Sequence, residues 1–411
     1  MKQIIYILKR YYHFFKTGLR GALAAAQYHH PERELTIILV TGTDGKTTTS
    51  TLIYQLLKSA DYPVALLSTV AAYIGDKALD TGFHVTSPQP QDLYKFMRQM
   101  VDAGMKYLVL EMTSQGAYQW RNWGIKAKVA ALTNIDREHL DYHLNYDNYL
   151  AAKMLVLNSA QVAVANSEQD CFSQVKKQLK PDVKLIPFNK QTKFGKKIDA
   201  AIKAKFPQAY NQLNAILAVT VAQQFKISDQ QIVSGLKDFK LPAGRLELVP
   251  NKLGINMIVD FAHTPQALAA VLPEIRRQYV KKGGQLIGIV GCAGLRDHLK
   301  RPAMGRIMAE NCDIAIFTAE DPRTENIWSI IAQMKQDLGE YHSRVISIAN
   351  RREALFFALR KFGHAGSTIA IFGKGHEQSM NYDGKTETPW NDIEQAGIMM
   401  RFLEKKNADK K

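Results

Sequence analysis

The chain has 411 residues, 46% of them hydrophobic, enough for two or three domains at roughly 150 residues each. Its formal charge of +16 argues against cationic partners and favours nucleotides, nucleic acid or acidic lipid without choosing among them. No apolar run approaches the roughly 18 residues of a membrane-spanning helix. Cys171, Cys292 and Cys312 are too scattered for a disulfide framework or a zinc pair, so a reducing cytoplasm is expected.

Residues 1–34 are basic and aromatic, with Tyr6, Tyr11, Tyr12, Phe14 and Phe15 among Lys2, Lys9, Arg10, Lys16 and Arg20. They read as one or two amphipathic helices. One use is peripheral membrane or protein docking; the other is packing against the body of the protein. Small residues at 21–26 look faintly like a cleavage site, but no continuous apolar segment precedes them, so secretion is not expected.

From residue 35 the pattern changes. Residues 36–40 form a short apolar, β-branched run, as a buried parallel strand should. A Gly-containing turn follows, then helical apolar spacing from 48 to 58. Further strands are expected at 107–110, 128–132 and 161–165. A second set is expected at 257–259, 286–290, 314–317 and 368–372. Strands alternating with helices predict an α/β protein: a P-loop domain with a parallel, doubly wound sheet over 35–241, and a Rossmann-like α/β domain over 242–411. Leu241-Pro242-Ala243-Gly244 is the expected hinge.

Gly42-Thr43-Asp44-Gly45-Lys46-Thr47-Thr48 lies between the first strand and its helix, where a glycine-rich match counts. The glycines let backbone N–H groups face phosphate oxygens, and the helix N-terminus adds partial positive charge. Lys46 is expected to reach the β/γ-phosphates and Thr47 to hold Mg²⁺. The usual first glycine of such a loop would fall at Val40, so the loop is a variant. Glu111 closes the second strand; read alone it is a surface carboxylate, but paired with the phosphate loop its position suits a Mg²⁺ ligand. His139 and His143 have the spacing of two zinc ligands on one helix face, but no third ligand follows from spacing.

TGTDGKTTT at 41–49, LEMTSQG at 110–116 and TNIDREHLDYH at 133–143 resemble the central domain of Mur ligases. The resemblance to the family continues through YNQLNAILA at 210–218, AGRLE at 243–247, VDFAHTPQAL at 259–268, GCAGLRDHLKRPAMG at 291–305, EDPRTE at 320–325 and FGKGHE at 372–377, the last two being most like the MurE type. The motifs keep their order over about residues 35–400. The resemblance implies an ATP-dependent ligase that adds an amino acid, meso-diaminopimelate or lysine, to a nucleotide-linked muramyl dipeptide through an acyl phosphate, in peptidoglycan synthesis.

For individual residues it implies a nucleotide site from Gly42 to Thr48 with Asn134, Asn211, Asn214, Arg245 and Asp260. It implies two Mg²⁺ ions held by Thr47, Glu111, His139 and a carbamylated Lys153. Lys46, His139, Lys153 and Arg245 would carry the chemistry. Thr86, Ser87, Ser114, His263, Arg296, Asp321, Arg323, Gly373 and Glu377 would meet the muramyl peptide and the amino acid, Arg323 gripping a distal carboxylate and Glu377 an ammonium.

The chain also departs from the family. Residues 1–34 are too short for the uridine-binding domain expected there. Gln115 replaces a usual His and Gln208 a usual Gly, Leu295 replaces an acidic residue, and Glu320-Asp321 replaces Asp-Asn. Two other readings stay open. One is a ligase similar to folylpolyglutamate synthase, which the Thr86-Ser87-Pro88 run fits, although Thr47-Thr48 stands where that group has Gly-Ser. The other is a non-catalytic ATP-fold protein on membrane or nucleic acid, against which the retained Lys46, Glu111, His139, Lys153 and Arg245 argue. No nucleic-acid partner is expected, and a monomer is.

Overall fold

The computed structural model describes residues 1–70, 72–75, 77–79 and 87–408. Two compact units emerge, Met1–Lys240 and Leu241–Lys411.

The first unit begins with a helical rod: α1 (Lys2–His13), a π turn (Phe14–Gly18) and α2 (Leu19–Gln27). Then come β1 (Thr36–Thr41), α3 (Lys46–Lys58), β2 (Val64–Leu67), β3 (Ala72–Ile74), β4 (Lys77–Leu79), α4 (Pro90–Asp102), β5 (Tyr107–Glu111), α5 (Ser114–Tyr118) and β6 (Ala127–Leu132). The unit continues with α6 (Leu140–His143), α7 (Tyr146–Leu157), β7 (Ala160–Asn166), α8 (Phe172–Gln178), β8 (Lys184–Phe188), α9 (Lys196–Lys205), α10 (Ala209–Ala222) and α11 (Asp229–Asp238).

Its sheet has the order β4-β3-β2-β5-β1-β6-β7-β8. The six strands from β2 to β8 run parallel, and β3 and β4 are antiparallel at one edge. The central strands are covered on both faces, which is why their sequences are continuous apolar runs; in β1 everything after Thr36 is buried. The neighbours of β1 are β5 and β6, so the crevice at its C-terminal end is a topological switch point, where ligands bind in such sheets.

The second unit holds β9 (Glu247–Leu248), β10 (Asn256–Asp260), α12 (Pro265–Tyr279), β11 (Leu286–Val290), α13 (Arg301–Asn311), β12 (Ile314–Phe317), α14 (Ile327–Met334), β13 (Val345–Ser347), α15 (Arg351–Phe362), β14 (Thr368–Phe372), β15 (Ser379–Asn381), β16 (Glu387–Pro389) and α16 (Asp392–Ala408). Its main sheet runs β13-β12-β11-β14-β10-β9, parallel except for β9. Beyond the C-terminal ends of its strands Arg351 and Asp392, both fully buried, form a paired ion bridge of 2.8 and 2.6 Å. Arg351 also donates to the carbonyls of Ala319 and Phe372, so one guanidinium ties the ends of β12 and β14 together. Among the described residues no helix is long and apolar enough to cross a membrane.

Candidate functional site

In the first unit the phosphate loop leaves β1 at Gly42, whose φ is 152°, and enters α3 at Gly45, whose φ is 77°. A Cβ on Gly42 would sit 1.7 Å from the Thr133 hydroxyl, and one on Gly45 would sit 2.5 Å from Oδ1 of Asn214. The loop is a cradle that only glycine can line. The segment after β6 fastens it: Thr43 N–H donates to the Asn134 carbonyl at 2.9 Å, Asp44 N–H to the Asn134 side chain at 2.9 Å, and the Thr133 hydroxyl to the Asp44 carbonyl at 2.6 Å. Asn134 thus shapes the loop from behind. The Thr43 hydroxyl accepts from Asp136 N–H and pairs with the Tyr149 hydroxyl, each at 2.9 Å. Lys46 lies back across the loop, donating to the Thr43 carbonyl at 2.7 Å.

The Thr47 hydroxyl donates to Glu111 at 3.0 Å, and the same carboxylate accepts from Thr69 N–H and its hydroxyl at 3.2 and 3.0 Å. A hydroxyl and a carboxylate side by side at a strand end form a hard-oxygen donor set of the kind Mg²⁺ takes. On α10, Asn211 and Asn214 are buried in a ladder of amides: Asn214 donates to Asn211 at 3.4 Å, and Asn211 to Gln208 at 3.3 Å.

Lys153, on α7, is 1% exposed, with its ammonium end 4.4 Å from the Tyr149 ring centre. Among the described residues it makes no hydrogen bond or ion pair. Burial, and then repulsion from Lys46, hold its pKa well below the usual lysine range against the pull of Glu138, Asp44 and Asp136. Both effects favour the neutral amine, which is the nucleophilic form. Glu138 is itself buried, and His139 follows it with φ 55° at the mouth of α6. The expectation that His139 and His143 share a helix face is corrected: α6 is four residues long and starts after His139. His143 points inward, its Nδ1 2.7 Å from the Tyr6 hydroxyl and its Nε2 3.1 Å from the Ser114 hydroxyl. Ser87 accepts from Thr113 N–H at 3.0 Å, beside Gly116, where a Cβ would come within 2.7 Å of the Ser87 Cβ. Thr86 lies outside the described residues.

In the second unit, Gly244 has φ 68° and a Cβ there would meet His376 N at 2.2 Å, so the segment bearing Arg245 runs against the loop after β14. The Arg245 guanidinium lies 4.4 Å over the Phe261 ring. Asp260 accepts from Leu246 N–H and Ala262 N–H, each at 2.8 Å, one on each oxygen. It therefore fastens the Arg245 turn. His263 lies within hydrogen-bond reach of the Phe261 carbonyl, at 2.9 Å.

Asp321 and Arg323 both have positive φ, 38° and 53°, in the turn after β12. Asp321 accepts from Lys374 at 2.8 Å and from Asn381 N–H at 3.0 Å. Lys374 is also paired with Glu377, so Glu377 is engaged by a cation of its own loop. Arg323 donates to the Gly294 carbonyl and has no carboxylate partner among the described residues. Gly373, at φ 105°, leaves no room for a Cβ, which would fall 2.1 Å from Glu320. Burial pushes the Glu320 carboxyl up to about 7 despite Arg351 and Lys300. Arg296 is exposed.

The Mur ligase middle domain matches residues 40–228, and the Mur ligase glutamate ligase domain matches residues 244–375. The UDP-N-acetylmuramoyl-L-alanyl-D-glutamate–2,6-diaminopimelate ligase 1 of Clostridium acetobutylicum is 33% identical over 386 residues, covering 89% of this chain and 78% of the relative. The chain belongs to the Mur ligase family. It is also 34% identical to the UDP-N-acetylmuramyl-tripeptide synthetase of Deinococcus radiodurans, over 93% of this chain and 82% of that one. A solved UDP-N-acetylmuramoyl-L-alanyl-D-glutamate–2,6-diaminopimelate ligase superposes with TM-score 0.58 at 26% identity, over 94% of this chain and 83% of that one. A folylpolyglutamate synthase of Mycobacterium tuberculosis gives 0.70 at 17% identity, over 97% and 98%, a likeness of fold alone.

Mur ligases are ATP-dependent, and so is this enzyme as a member. The Gly42–Gly45 cradle fits the triphosphate that the family binds, and the Thr47–Glu111 pair fits Mg²⁺. Residue-by-residue reading of the Mur ligase motifs left out Glu138, Tyr149 and Thr69. Glu138 stood inside a quoted motif; Tyr149 and Thr69 declare themselves only through contacts made at long range along the chain.

Proposed function

We propose that this Mur ligase joins an amino acid, meso-diaminopimelate in the first instance, to the free carboxyl of a UDP-linked muramyl dipeptide in cytoplasmic peptidoglycan synthesis, acting as a monomer. The observation that carries the reading is the 33% identity over 89% of the chain to a relative named for that reaction. Arg323, without a carboxylate partner of its own, supports an amino acid with a distal carboxylate.

The substrate carboxylate attacks the γ-phosphorus of ATP and ADP leaves, giving an acyl phosphate. The amine nitrogen then attacks the acyl carbon, phosphate departs, and the nitrogen gives up a proton. Lys46 moves from the Thr43 carbonyl to the phosphate oxygens, and the cradle N–H groups hold them in place, so most of the catalysis is positioning and electrostatics. Mg²⁺ at Thr47 and Glu111 would take up charge on the transferred group. Lys153 suits carbamylation: its amine, favoured in the neutral form, would add to CO₂ and release a proton, and the resulting anionic oxygens with His139 would hold a second ion. Arg245 would stabilise the γ-phosphate and Glu377 the amino acid's ammonium, once Lys374 yields.

The test is phosphate release from ATP with UDP-linked muramyl dipeptide and diaminopimelate, lysine or neither. Release that requires diaminopimelate, with a tripeptide product by mass, supports the reading. Release that requires only lysine overturns the role given to Arg323. A folded enzyme that turns over with neither amino acid sinks the choice of acceptor.

A further inference from the structure

The N-terminal rod has two unlike faces. Tyr6, Arg10, Phe14, Thr17, Gly21 and Ala24, three or four residues apart, are turned toward the first unit. Tyr6 stacks on Tyr118 with ring centres 4.5 Å apart, and Phe14 meets Trp120 and Trp123 edge-on at 5.3 and 5.5 Å. A Cβ on Gly21 would sit 2.6 Å from Trp123, and Ala24 belongs to the main core. The rod is therefore seated through its small and aromatic residues.

The opposite face is apolar and bare. Ile4, Leu8, Tyr12, Phe15, Leu19 and Leu23 recur at helical spacing and are 45% to 71% exposed. Ten of the nineteen exposed large apolar side chains among the described residues fall within residues 1–23. Such a concentration marks an interaction surface. Lys2, Lys9, Lys16 and Arg20 follow one line along one flank of this stripe, all exposed and none with an acidic partner among the described residues. No acidic residue occurs before Glu32. On the other flank, Ile7 and Tyr11 continue the apolar surface into a groove of about 650 Å³ shared with Phe14, Trp120 and Leu155.

An apolar stripe bordered by a basic line, on a helix held flat by its third face, is the geometry of an interfacial helix. We propose that the rod is a docking surface for an anionic phospholipid bilayer, with the stripe at the acyl boundary and Lys2, Lys9, Lys16 and Arg20 at the headgroup phosphates. Charge complementarity selects this occupant. A second copy on the same face would bring two unneutralised basic lines together, whereas an anionic bilayer neutralises one. The rod lies on the membrane and leaves the fold beneath it intact, so the ligase reaction and the docking are separable.

The test uses the full chain and co-sedimentation with vesicles of phosphatidylcholine alone or in equal parts with phosphatidylglycerol. Binding is expected only with phosphatidylglycerol and should weaken as salt rises. Lys9→Gln with Lys16→Gln should weaken it on the order of 25-fold, at about fivefold per charge. Leu8→Glu with Phe15→Glu should weaken it on the order of tenfold or more, with thermal midpoint and ATP turnover unchanged, since both side chains are exposed. A folded wild-type chain that ignores the anionic vesicles, or binds both kinds equally, overturns the proposal. So does Leu8→Glu with Phe15→Glu binding as wild type. Light scattering that shows a dimer broken by those same changes, without vesicle binding, assigns the face to a second copy instead.

Discussion

The Tyr6 hydroxyl lies 2.7 Å from Nδ1 of His143, 137 residues away in sequence. Through the other nitrogen of His143, α1 is connected to Ser114 at the head of α5. Tyr6 also offers its carbonyl to the Tyr118 hydroxyl. The N-terminal rod is thus part of the support of the candidate substrate site. Tyr6→Phe keeps the stacking on Tyr118 and removes only the hydroxyl. It should cost about 1–2 kcal/mol of stability, by leaving a buried His143 nitrogen without its partner. It should also raise KM for the muramyl acceptor several-fold while KM for ATP stays put. Urea unfolding and steady-state kinetics measure both. An unchanged acceptor KM would reduce the connection to a structural one. Deletion of residues 1–27 should bare Trp120 and Trp123 and impair solubility; a soluble, fully active truncation would remove the rod from the working fold.

Acid should destabilise the second unit first through His376. Burial, followed by repulsion from Arg245, Lys374 and His263, pulls its pKa from 6.5 down to about 3. In the unfolded chain the imidazole titrates near 6.5. Between those values the unfolded state binds a proton that the folded state does not, so the His376 contribution rises with pH there and is lost as pH falls below 6.5, by about 1.4 kcal/mol per unit. Glu320, pushed up to about 7, takes up its proton in the folded state and offsets this loss down to about 4.5. Glu325, held at about 2 by Arg301, adds a second loss as pH falls through its ordinary range near 4.5. His376→Gln should remove the first of these losses from a thermal-midpoint profile. A profile as steep as wild type would place the acid sensitivity elsewhere.

The parts of this molecule that were legible in sequence are those in which neighbours in the chain are neighbours in space. Strands β1, β5, β11, β12 and β14 announce themselves because a strand covered on both faces must be apolar throughout. The edge strand β8 carries Lys184 and Pro187, and β3 and β4 are three residues each, so no continuous apolar run betrays them. The phosphate loop is contiguous and was plain. Lys153 reads from sequence alone as a surface helix lysine; only the family resemblance singled it out, and only the fold shows the burial that lowers its pKa. The partners of His143, Tyr6 and Ser114, are likewise ones that spacing along the chain cannot reveal.

Lys153→Met should separate stability from activity. The buried amine has no hydrogen bond or ion pair among the described residues and pays a desolvation cost, which an apolar side chain of similar length avoids. The variant is expected to be about 1–2 kcal/mol more stable in urea unfolding. Without a carbamate to complete the second ion site, ligase turnover should fall on the order of 100-fold. In the wild type, ¹³C-bicarbonate should give a carbamate signal that this substitution removes. Retained turnover in Lys153→Met would exclude the carbamate from the reaction.

Asp392→Asn should be among the costliest single changes in the second unit. Arg351 and Asp392 are both fully buried, and the same carboxylate accepts from the Trp390 indole at 2.9 Å. Neutralising it leaves a guanidinium in the core without its counter-charge, a loss of about 3–5 kcal/mol. Because Arg351 also holds the carbonyls of Ala319 and Phe372, the change should loosen the turns that present Arg323 and Gly373. KM for the amino acid should therefore rise while KM for ATP is less affected. Arg351→Met combined with Asp392→Leu removes both charges together and should recover part of the lost stability, since an uncharged pair leaves nothing unpaired. If the double change is as unstable as the sum of the two single ones, the bridge contributes through packing, and the link from Arg351 to the amino-acid turns has to be abandoned.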